Sequence, residues 1–123
     1  MVKRTLIWLL PALLAPLYAS SARADNFGRV YYDAKNDQLV VTMIYRGTNP
    51  NHNFSLKWGA CHAGQSGGAQ EVSVEVLDDQ FQDRAQQNFK TTKNFSLQGL
   101  TCRPAKVTLR TAPRFLYTLT IPG

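Results

Sequence analysis

The chain is poor in the residues that carry chemistry. It has two cysteines and two histidines, and beyond the first residue its only methionine is Met43. No apolar run reaches the about 20 residues that a membrane-spanning helix needs. This scarcity excludes most catalytic and metal-binding templates, while the absence of long helical repeats excludes a coiled coil. The longest apolar stretch, Leu6 to Leu17, is broken by Pro11 and Pro16. It follows Lys3 and Arg4 and precedes Ala22-Arg23-Ala24. A positive start, a short apolar centre and an A-x-A site together describe a secretory signal peptide, cleaved after Ala24. No cysteine lies near the cleavage point to accept a lipid. Residues 25–123 are then a single exported domain, periplasmic or secreted, with one core.

Removing residues 1–24 lowers the formal charge from +6 to +3, because the leader holds three bases and no acid. The remaining charge is uneven. Residues 71–84 contain five acids and one base, whereas residues 90–123 contain six bases and no acid.

Spacing in this domain has period 2, the mark of strands. Strands are expected at Phe27 to Ala34, Gln38 to Arg46, Phe54 to Trp58, around Val72 to Val76, Phe89 to Leu97, Ala105 to Ala112 and Phe115 to Ile121. Val40 and Ile44 imply burial of the second strand on both faces. Lys93 shares the parity of Phe89 and Phe95, which predicts a bulge or an exposed end there. In the last strand Phe115, Tyr117, Leu119 and Ile121 are expected inward. Asp78 to Gln87 breaks the alternation, and Asp78 and Asp79 are placed to cap one short helix with Phe81 and Ala85 inward.

About seven short strands with at most one short helix predict an all-β fold. The leading expectation is a small immunoglobulin-like sandwich of Greek-key topology, with a small barrel as the alternative. The antibody signature is absent: Trp58 precedes Cys61 by three residues, and both cysteines fall in loops. In an oxidising compartment Cys61 and Cys102 pair as a disulfide. Closing a loop of roughly 40 residues contributes about 4 kcal/mol in the chain-entropy model. The alternative, a reactive or metal-binding Cys61 beside His62, requires a thiol that escapes oxidation.

Candidate sites are few. His52 and His62 lie in Asn/Pro and Gly loops, where a solvated imidazole is the ordinary state, and a zinc or copper centre needs about three or four ligands. Ser66 near His62 lacks the G-x-S-x-G elbow, and Gly59 to Gly68 lacks the G-K-[ST] ending of a phosphate loop. Those glycines make a mobile binding loop tethered at Cys61. No cofactor is implied. Strand parity turns Lys57, Lys106 and Arg110 outward beside Leu116, with Arg114 at the neighbouring turn. This basic face is the candidate contact surface for an anionic glycan, a lipid head group or an acidic protein. Nucleic acid is disfavoured because Phe115 and Tyr117 are needed inside rather than for base stacking. The chain therefore reads as a non-enzymatic binding protein. The alternatives are a copper- or zinc-binding protein using His62 and His52, and a subunit of an extracellular assembly whose last strand pairs with a partner edge.

Overall fold

A computed structural model describes residues 26–65, 68–111 and 115–123. The leader at residues 1–24 and the candidates Ser66 and Arg114 lie outside the described residues. Seven strands follow in chain order: β1 (Asn26–Asp33), β2 (Gln38–Gly47), β3 (Phe54–Trp58), β4 (Gln70–Asp78), β5 (Gln87–Ser96), β6 (Ala105–Thr111) and β7 (Phe115–Ile121). They form two sheets, one ordered β1-β2-β5 and the other β3-β4-β6-β7. The period-2 segments thus became strands, and neither sheet closes into a barrel.

The order within the second sheet does not confirm the immunoglobulin-like Greek key. β4 inserts between β3 and β6, and pairs with β6 in parallel. Periodicity assigns side chains to faces but does not say which strand is a neighbour, so this placement has no signature in a single strand.

The core fills the space between the sheets. Leu39, Val41, Met43 and Tyr45 of β2 meet Val72, Val74 and Val76 of β4 and Val107 and Leu109 of β6, all buried. β2 is the central strand of its sheet, and Val40 and Thr42 on its outer face are also buried. Thr42 bonds Thr92 of β5 through their hydroxyls at 2.7 Å. Gly28 of β1 lies against the same spot, where an added Cβ would sit 3.0 Å from Thr42 Cγ2.

Two local expectations are corrected. No helix forms after Asp78; the segment turns and then runs irregularly to β5. The bulge is not at Lys93, because β5 pairs with β2 over ten residues without a shift. It lies instead in β1, between Phe27 and Val30. Lys93 is exposed because β5 is an edge strand, and its ammonium reaches to 5.8 Å from the Phe95 ring.

The ends of the sandwich are fastened separately. Cys61 and Cys102 form the expected disulfide, joining the loops before β4 and before β6. At the same end Arg103 spans Asp37 with both terminal nitrogens, at 2.7 and 2.9 Å. Its Nε also donates to the Leu100 carbonyl. Asp37 itself has φ 53°, a left-handed turn conformation that aspartate tolerates better than most residues.

Candidate functional site

Of the candidate contact residues, Lys57, Lys106, Arg110 and Leu116 share the outer face of the four-stranded sheet, but in alternation with acids. Across the strands one row reads Lys57, Glu75, Arg110, Leu116. The next outward rows read Ser73, Thr108, Thr118 and Glu71, Lys106, Thr120. Directly opposed residues on a face have Cβ atoms about 5 Å apart, so each base on β3 or β6 adjoins a glutamate on β4. What spacing along the chain presents as a basic face is therefore a ladder of opposite charges.

His62 is not a free loop residue. Its backbone exchanges two hydrogen bonds of 2.8 Å with Glu71, which ties the start of the glycine loop to β4 beside the disulfide. His62, Glu71, Ser73, Lys106, Thr118 and Leu116 border a shallow cleft of about 310 Å³ on this face.

The open end of the surface is β7. Phe115, Leu116 and Tyr117 are 40, 58 and 38% exposed, and with Tyr31 they are the exposed large hydrophobics among the described residues. The Arg29 guanidinium lies over one face of Tyr31, 4.5 Å from the ring centre. Phe115 and Tyr117 keep the inward parity expected of them, opposite buried Thr111 and Leu109. Their exposure corrects the expectation that they are core: β1 of the other sheet approaches β7, but Phe115 and Tyr117 stay partly open to solvent.

The best-organised polar cluster lies elsewhere, at the β3 start, and involves a histidine expected to be solvated. His52 is 5% exposed. Its Nδ1 lies 2.6 Å from Asp78 Oδ2 and its Nε2 2.7 Å from Asp83 Oδ2. Tyr45 stacks on the ring with centroids 4.3 Å apart. A neutral imidazole has one N–H and can donate to only one of the two carboxylates, so this setting favours the protonated ring. Burial alone would lower the His52 pKa, but hydrogen bonds to Asp83 and Asp78 outweigh it and raise the value above 6.5. Asp83 is drawn down to about 2, first by His52 and then by the Thr48 amide and hydroxyl.

Gly47 makes this approach possible. A Cβ there would lie 2.6 Å from Asp83 Oδ2 and 3.1 Å from His52 Nε2. Asp78 and Asp79, expected as helix caps, brace the same corner: Asp78 Oδ1 accepts from the Gln80 amide, and Asp79 Oδ1 from the Asn53 amide. With both ring nitrogens engaged by carboxylates and the ring buried, His52 is not presented to a substrate or a metal ion. Its chemistry is to pin the β2–β3 loop to the β4–β5 loop. Nothing in the sequence marked it, because its partners are 26 and 31 residues away.

The two histidines occupy opposite ends of β4. His62 bridges to Glu71, whereas His52 bonds Asp78, so about 23 Å of strand separates them. They do not form the joint site that the metal alternative requires. Among the described residues no group of three or more His, Cys, Asp or Glu side chains is arranged to hold a metal ion, and no described helix is long and apolar enough to cross a membrane. No family model, curated protein or solved structure matches the chain.

Proposed function

We propose that the protein is a non-enzymatic interaction module of an exported compartment, and that its contact surface is the β6–β7 side of the four-stranded sheet. The observation that carries this reading is that β7, an edge strand, leaves Phe115 and Tyr117 exposed on its inner side and Leu116 exposed on its outer side. Large hydrophobics left open on both sides of one edge strand support a protein contact edge. The mixed ladder of Lys106, Arg110, Glu71 and Glu75 beside it favours a protein partner over an anionic glycan or lipid. A polyanion is attracted by the bases but repelled by the glutamates between them. Export is supported by the leader pattern of residues 1–24 and agrees with the disulfide.

Mild crosslinking of the native envelope, followed by purification of the chain, tests this reading. Wild type is expected to carry a discrete adduct that Leu116→Glu loses and that Thr92→Glu, on the outer face of the other sheet, keeps. The same adduct in all three proteins contradicts the assignment of the surface.

A further inference from the structure

We propose that β7 pairs antiparallel with β7 of a second copy of this chain, about a two-fold axis at Thr118, so that two four-stranded sheets join into one of eight strands. This inference rests on the contact surface proposed above and names its occupant. Among the described residues each sheet has two edges, and three of the four carry features that hinder pairing. β1 has a bulge with Arg29 beside it, β3 is only five residues long and carries Lys57, and β5 has Lys90 and Lys93. β7, with the sequence FLYTLTI, has no charge, proline or bulge over its seven residues.

The strand is also complementary to itself. With Thr118 opposite Thr118 of the second copy, Phe115 falls opposite Ile121, and Tyr117 opposite Leu119. Aromatic residues then face aliphatic ones along the inner side, a favourable cross-strand pairing. On the outer side the Thr108–Thr118 hydroxyl contact, 3.3 Å in one copy, continues into the same row of the other. Leu116 falls opposite Thr120, where its exposed side chain gains a neighbour.

Charge permits the arrangement. Among the described residues the nearest like charges, Lys106 and Arg110 on β6 of each copy, are kept apart by two uncharged strands. Three strand spacings separate them by about 14 Å, beyond the Debye length at physiological salt. An antiparallel pair of identical edges is closed by its two-fold axis and does not propagate into a filament.

The test is sedimentation velocity on the full chain purified from the compartment it reaches, from about 1 µM to about 1 mM, a range that spans weak to moderate dimers. Wild type is expected to pass from monomer to dimer and no further. Thr118→Lys places like charges against each other at the axis and is expected to weaken the dimer by tenfold or more; Thr118→Glu is expected to do the same. Because Thr118 is exposed, both variants keep the fold, and an equimolar mixture of the two restores a dimer by pairing opposite charges. A strict monomer throughout the range overturns the proposal, as does a wild-type dimer indifferent to both substitutions. A monomer that still forms the Leu116-dependent adduct in the envelope defeats the second copy as occupant while leaving the contact surface intact.

Discussion

His52 shows how a residue with no sequence motif becomes a structural centre. Its ring lies between Asp78 and Asp83 and against Tyr45, which gives stability a defined pH dependence. A histidine whose pKa is raised on folding stabilises fully below its unfolded value, 6.5, and the contribution fades as pH rises through the folded value. A carboxylate lowered on folding acts in the opposite sense. The contribution of Asp83 is present above 3.8 and is lost as pH falls towards 2. Melting temperature is therefore expected to be highest between those limits, with the alkaline decline from His52 absent in His52→Asn. A scan of melting temperature against pH checks both branches. His52→Ala leaves the buried Asp78 carboxylate without its cation and is expected to cost about 3 kcal/mol in denaturant unfolding. Gly47→Ala forces apart the carboxylate and ring that the glycine admits, and is expected to cost about 1–3 kcal/mol by the same measurement.

Strands were legible one at a time and illegible as neighbours. Alternation in β6 correctly assigned Val107 and Leu109 to the core and Lys106 and Arg110 to the surface. Leu109→Ala is accordingly expected to destabilise by about 3 kcal/mol, whereas Lys106→Ala and Arg110→Ala stay within about 0.5 kcal/mol. Urea unfolding of the three variants provides the check. Where prediction failed, a long-range partner decided the outcome. Asp78, Phe81 and Ala85 have helix-compatible spacing, but Asp78 and Asp83 are bound to His52 and the segment cannot coil around its own axis. Phe115 and Tyr117 have core parity, but they lie on an edge strand and stay partly exposed.

At the scale of the molecule, the charge asymmetry of the chain is largely cancelled by its topology. The acidic segment contributes Glu71 and Glu75 to β4, and the basic segment contributes Lys106 and Arg110 to β6; their parallel pairing sets the two together. The even cysteine count foretold the disulfide, since only two were available. Closing 41 residues of sequence, its reduction is expected to lower stability by about 4 kcal/mol, measurable by unfolding with and without reductant. What neither composition nor periodicity exposed is that β7, at the edge of the four-stranded sheet, keeps Phe115, Leu116 and Tyr117 open to solvent although β1 approaches it. That exposed edge underlies the functional reading, and site-specific photocrosslinking in the native cell tests it most directly. A photoreactive side chain at Leu116 is expected to capture a discrete partner, whereas one at Thr92 captures none. Equal capture at both positions, or none at Leu116, would contradict β7 as the contact edge.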